Sequence, residues 1–254
     1  MYYALFIIFT AVILFFALYQ WQYFMVFTPV YVKERQLPQE CEYVAIKTDD
    51  GVTLEGVVYE PKNAKTTLLF FGGRSHDSVA LVGKLSACFA DIRIVAFNYR
   101  SYGESGGVAN EKNLLSDGVK IAQTVQKHYG DFFILGFSLG SSIAAYAAAH
   151  QNTQGLFLVG SFDSIDALVA KKYGKLAAKF SRYHFNTQGY LQDVSTPVYL
   201  FASVDDETTY IQNIENLAKS VKNLALFIKK EQLSHKELLW DAEVCNTINK
   251  VMMS

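Results

Sequence analysis

Six strand-length runs, nearly all apolar, recur along the chain: "TTLLFF" (66–71), "IRIVAFNY" (92–99), "FFILGF" (132–137), "GLFLVGSF" (155–162), "PVYLFAS" (197–203) and "LALFIKK" (224–230). A strand with one wet face alternates apolar and polar residues, whereas a strand without alternation has both faces covered. Helical stretches separate the runs: 78–90, 113–128, 139–150, 211–220 and a closing helix from about 236. In the second of these Leu114, Leu115, Val119, Ala122 and Val125 follow a period near 3.6. The alternation predicts an α/β fold, a mostly parallel central sheet with helices on both faces. Ahead of it "EYVAIKT" and "VTLEGVVY" alternate around Asp50-Gly51, a hairpin signal that adds an antiparallel edge.

With 254 residues, 51% of them hydrophobic, the chain can bury one domain and is too short for two large ones. Its 23 Lys+Arg balance 24 Asp+Glu, and no block of like charge marks a nucleic-acid-binding face. Cys41, Cys88 and Cys245 lie far apart without CxxC spacing, which argues against a zinc site or a disulfide framework and leans towards a reducing compartment.

No charged side chain precedes Lys33, and residues 2–19 are almost wholly apolar. About 20 such residues in a helix cross a 30 Å hydrocarbon layer. Tyr19, Trp21, Tyr23 and Phe24 then supply the rings that favour a membrane boundary. The basic flank and small-residue cleavage site of a signal peptide are missing. The expectation is an uncleaved single-pass anchor over 1–27 and one domain over 28–254, the rival being a buried helix of a soluble domain. Lys33 and Arg35 after the span place the domain on the cytoplasmic side. Residues 163–196 break the strand–helix rhythm with a helical, basic stretch, "DALVAKKYGKLAAKFSRYHF". An insertion there sits at the carboxyl ends of the strands, as a small lid or as an overlong crossover.

The run 132–137 enters Gly136-Phe137-Ser138-Leu139-Gly140, with a helix directly after. A chain passing from strand to helix within one residue strains the apex and needs flanking residues without bulk. The apex side chain is thrust above the sheet, at the helix amino terminus. A plain turn with a serine cap is the bland alternative. A serine hydroxyl needs a base to become a nucleophile. His76, His128, His150 and His184 fall in or beside helices or the insertion, where a solvated histidine is ordinary. His235 lies in the loop after the last strand, and Asp205 and Asp206 follow the strand before it; Asp163 is a reserve carboxylate. The order Ser138, Asp, His235 is the one used by α/β-hydrolases among serine triads.

These residues give the chain a resemblance to the membrane-anchored α/β-hydrolase-domain serine hydrolases, which include acyl-protein thioesterases and lysophospholipid or acylglycerol hydrolases. The likeness covers about 40–254 and rests on "GFSLG" and on "FNYRSYGESGG" (97–107). It implies Ser138 as nucleophile, His235 as base and Asp206, rather than Asp205, as acid. It implies an oxyanion hole from the N–H of Leu139 and of Gly73 or Arg74, and no metal or cofactor. The implied substrate is an acyl ester or thioester with a lipid-like chain, met at a bilayer. Two positions depart from the pattern: Phe71-Gly72-Gly73-Arg74 replaces a His-Gly-Asn-Ala stretch, and Ser203 stands where glycine is usual. The first departure suits a catalytically silent scaffold; a serine peptidase is the other alternative. "YRSYGESGG" either lines the pocket mouth or packs beside it.

Overall fold

A computed structural model describes residues 2–254. Eight strands form one sheet: β1 (Cys41–Lys47), β2 (Thr53–Tyr59), β3 (Thr67–Phe71), β4 (Arg93–Phe97), β5 (Phe133–Phe137), β6 (Gly155–Val159), β7 (Val198–Ser203) and β8 (Leu224–Lys230). Their spatial order is β1-β2-β4-β3-β5-β6-β7-β8. The first hairpin pairs antiparallel, β2 also runs antiparallel to β4, and every later pair is parallel. From β3 the chain steps to one side, to β4; from β5 it steps to the other, to β6. The strand order therefore reverses between β3 and β5, and ligands of such sheets bind in the crevice at the carboxyl ends there.

The apolar runs are explained by two cores, one per face. Along β5, Phe133, Leu135 and Phe137 point into the core shared with α2 (Ser78–Cys88) and α10 (Ala242–Met253), while Ile134 points into the other. That second core holds α3 (Glu111–Tyr129), α4 (Leu139–His150) and α8 (Ile211–Ser220). Burying one such side chain contributes roughly 1.5–3 kcal/mol.

The helix α1 (Tyr2–Val26) is long and apolar enough to cross a membrane, and none of its residues is buried. Its foot is different. Phe27 is fully buried against Tyr183 and Phe185, so packing continues across the expected boundary after residue 27. The 163–196 insertion divides in two. Its first half forms α5 (Ile165–Tyr173) and α6 (Lys175–Ala178), with no buried residue. Its second half carries the short α7 (Thr187–Tyr190), and buried Tyr183, Phe185, Leu191 and Val194 make it part of the core.

The closing helix begins instead as one turn, α9 (His235–Leu238), and restarts as α10. Leu238 and Leu239 are buried, and the Asp241 side chain accepts a hydrogen bond from Val244 N at 3.1 Å, capping the restart. Cys88 and Cys245, 157 positions apart, bring their sulfurs to 3.2 Å as free thiols, a pairing with no trace in the cysteine spacing.

Candidate active site

β5 ends at Phe137 and α4 begins at Leu139, so the whole reversal falls on Ser138. Its backbone has φ 53° and ψ −121°, a conformation a side-chain-bearing residue adopts only under constraint. A Cβ on Gly136 would lie 2.6 Å from Gly140 O, and one on Gly140 would lie 2.1 Å from Phe71 O. Both obstacles are backbone atoms that cannot swing away, so the two glycines are steric requirements of the turn. Ser138 N donates to Val159 O at 3.0 Å, and Ser141 Oγ donates to Ser138 O at 2.5 Å. These bonds hold the strained residue from β6 and from α4.

His235 is the first residue of α9, whose start is fixed by a capping box between Ser234 and Glu237. Its Nδ1 lies 2.6 Å from Asp206 Oδ2. The other oxygen of this buried carboxylate accepts from Thr208 N at 2.7 Å and Thr209 N at 3.0 Å. Burial alone would raise the Asp206 pKa. The hydrogen bond and charge of His235, with the Thr209 donors, outweigh it and hold the carboxyl below its ordinary value. Asp205 instead accepts from Gln232 N at 2.7 Å, and Asp163 from Ser164 N and Asn213 Nδ2. Of the three carboxylates considered, Asp206 is the one on the imidazole. Ser203 connects the two loops involved: its Oγ donates to Leu233 O at 2.5 Å and accepts from Asp205 N at 3.2 Å. A glycine there could make neither bond.

The imidazole packs on Phe137, centroids 4.9 Å apart, and over Gly160 at the end of β6. A Cβ on Gly160 would come within 3.0 Å of His235 Cε1, and its φ of 56° suits glycine. Phe137 directly precedes Ser138, and Ser138 is bonded to Val159, so serine, histidine and aspartate share one end of the sheet. The Ser138 hydroxyl makes no hydrogen bond to the ring among the described residues; such bonds commonly tighten only with substrate present.

Sequence reasoning missed His76. Its ring stacks on Phe137 at 5.2 Å and 6°, and its Nδ1 accepts from Gly73 N at 3.1 Å. Burial, reinforced by His235 and Lys236, pushes its pKa down to about 4, which keeps it neutral and able to accept. The Gly73 N–H is therefore engaged. Arg74 and Leu139 remain as backbone donors beside Ser138, and all three line the cavity above it. The departure at position 74 has a structural use: Arg74 Nη1 donates to Met25 O, at the end of α1, at 2.5 Å.

The "YRSYGESGG" segment buttresses this turn from behind. Tyr99 Oη donates to Gly72 O at 2.6 Å, and Tyr102 Oη to Arg74 O at 2.5 Å. Buried Arg100, gripping Asp117 and Asp50, fixes the segment itself. Above Ser138 lies a cavity of about 510 Å3, a size suited to a small organic ligand. Phe162 and Leu139 border its floor, and α1, α5 and Thr208–Tyr210 its sides.

No model of a known protein family matches the chain. An uncharacterised protein of Acanthamoeba polyphaga mimivirus is 26% identical over 120 residues, 44% of this chain and 41% of that protein, so the match spans under half of the relative. Solved structures align far more fully. The Pyrococcus furiosus esterase Pf2001 superposes with TM-score 0.70 at 16% identity, covering 89% of this chain and 98% of that one. An alpha-beta hydrolase from Vibrio vulnificus gives 0.69 at 20%, covering 84% and 81%. XC6422 of Xanthomonas campestris, described as an a/b serine hydrolase without lid, gives 0.63 at 17%, covering 87% and 97%. Strand order, the strained serine turn and these superpositions agree that the chain has the α/β-hydrolase fold.

Proposed function

We propose that the protein is a membrane-anchored serine hydrolase of acyl esters or thioesters, with Ser138, His235 and Asp206 as its triad. The observation that carries this reading is the imidazole held by Asp206 and wedged between Phe137 and Gly160, beside a serine in strained backbone geometry. With Nδ1–H donated to Asp206, Nε2 is left to take the Ser138 proton. Ser138 Oγ then bonds to the acyl carbon, and the carbonyl electrons move onto oxygen. That oxyanion rests on the N–H groups of Leu139 and Arg74, in the first turn of α4 and the braced turn after β3. Collapse breaks the bond to the alcohol or thiol, which leaves with the proton from the imidazolium. Water repeats the sequence and frees the acid. Within the Phe71–Arg74 stretch Gly73 N–H is taken by His76, and the backbone N–H of Arg74 is the donor left for the oxyanion. The solved neighbours named as esterases support the reaction class, and α1, followed by Lys33 and Arg35, supports a single-pass anchor with the domain on the cytoplasmic side.

Fluorophosphonate labelling of membranes containing the full chain tests the reading. An adduct on Ser138 is expected, absent in Ser138→Ala, with short-ester turnover falling by roughly a thousandfold or more in Ser138→Ala and His235→Ala. A wild-type chain that neither labels nor turns over ester is a silent scaffold.

A further inference from the structure

We infer that the cavity over Ser138 is an acyl-chain site that opens along α1 into the bilayer, so that α1 is a wall of the substrate site as well as a tether. The substrate is then a membrane-resident ester or thioester of a long acyl chain, entering sideways from the lipid. The inference rests on the hydrolase reading only for the bond cleaved.

Across the cavity Leu18, Trp21 and Met25 of α1 face Leu168 and Phe180 of the α5–α6 arm, with Ser138 on the floor. From Val26 to Leu18 the helix rises about 12 Å. Leu18 stands at the end of the apolar stretch 2–19, so the outer end of the cavity coincides with the level where a span of that length leaves hydrocarbon. The walls are joined, which makes the groove a built feature. Arg182 lies 3.7 Å over the Tyr19 ring, its Nη1 donates to Tyr19 O at 3.2 Å, and its backbone N donates to Gln22 Oε1 at 2.8 Å. Trp21 meets Tyr173 edge-on at 6.1 Å.

The outer surface of the arm has the same orientation. Leu176 is 72% exposed, and Tyr173 and Phe180, which also border the cavity, are still 47% and 68% exposed, apolar surface that a water-facing helix would not leave bare. Lys171, Lys172, Lys175 and Lys179 alternate with them, and no Asp or Glu occurs from 167 to 192. Apolar rings set among lysines, next to a membrane-length helix, match an anionic lipid surface in both chemistry and charge. Resting there, the arm keeps the groove mouth in lipid.

The test uses full-length Ser138→Ala in vesicles of phosphatidylcholine with phosphatidylglycerol, loaded with a palmitoyl ester carrying a diazirine at the end of the chain. Because Ser138→Ala cleaves nothing, the result is independent of the hydrolase reading. Cross-links are expected at Leu168 and Phe180 as well as on the inward side of α1, and Leu168→Trp is expected to reduce them by roughly tenfold. Neutral vesicles are expected to lower the yield severalfold, as is Lys175→Glu with Lys179→Glu. Cross-links confined to the apolar residues 2–17, or a yield at Met25 and Phe180 unaffected by Leu168→Trp, would overturn the inference. So would an arm that stays water-accessible on anionic vesicles and is shielded only by added protein.

Discussion

Nine of the twelve residues of α4, which floors the Ser138 cavity, are buried, whereas α1, α5 and α6, which roof it, bury none. The floor is held by collisions that backbone atoms cannot escape and by hydrogen bonds out of water. The roof is held by ring faces and one arginine, partly in solvent. The two regions therefore tolerate change differently. The atoms that would do chemistry are held in place by backbone contacts of the sheet and α4, while the surface that would meet an acyl chain can shift with little loss of fold.

The same substitution made in each region sharpens that contrast most. Gly140→Ala places a methyl 2.1 Å from Phe71 O and 2.5 Å from Gly72 O. The end of β3 and the start of α4 would have to move apart, at a cost of about 3 kcal/mol or more. In detergent the full chain should melt well below wild type, with the Ser138 adduct lost at temperatures where wild type labels. Gly174→Ala, in the arm, meets nothing within 4 Å and strains only its φ of 92°. Its expected cost is about 1–2 kcal/mol, with labelling retained. Equal losses at the two positions would remove the distinction between floor and roof.

How much of this was legible in the sequence follows from range. The turn at Ser138 is local, since strand, glycines and helix lie within a few residues, and its steric logic can be read directly. That His235 and an aspartate at 205 or 206 share one end of the sheet was readable from strand order; the choice of Asp206 came from the family resemblance. His76, Gly160 and Ser203 carry no local signature: each matters because of an atom in another strand or loop, Phe137, His235 or Leu233. Arg74 looked like a defect and proves to cap α1, a contact spanning 49 positions. The break before α10 was invisible because no glycine or proline marks it; buried Leu238 and Leu239 impose it.

Acidity probes the floor through His76. The unfolded ring takes a proton near 6.5, but the folded one, wedged on Phe137 beside His235 and Lys236, resists until about 4. Between those values the unfolded chain binds the extra proton, so stability falls as pH falls, by roughly 3 kcal/mol at the bottom of the window. Asp206 acts lower: its depressed pKa adds stability that is lost only as pH drops below the ordinary carboxylate range. His76→Gln removes the titration and should flatten the unfolding free energy between pH 6.5 and 4.5. An unchanged slope would mean that the ring is already hydrated and that the floor is wetter than its packing implies.

The smallest effect belongs to the roof. Arg182 faces the rings of Tyr19 and Tyr183 and bonds Tyr19 O, yet its side chain remains in contact with solvent. Cation–π contacts of this exposure are worth about 0.5–1 kcal/mol, and they share a single cation, so Arg182→Ala should lower stability by only about 1 kcal/mol. The elbow at Ser138 depends on none of these contacts, and fluorophosphonate labelling should change by less than about twofold. Hydrogen exchange should separate the regions: faster in α5 and around Tyr19, unaltered in α4 and β5. If α4 exchanged faster as well, floor and roof would be one cooperative unit, and the bond from Arg74 to Met25 would be the connection through which they move together.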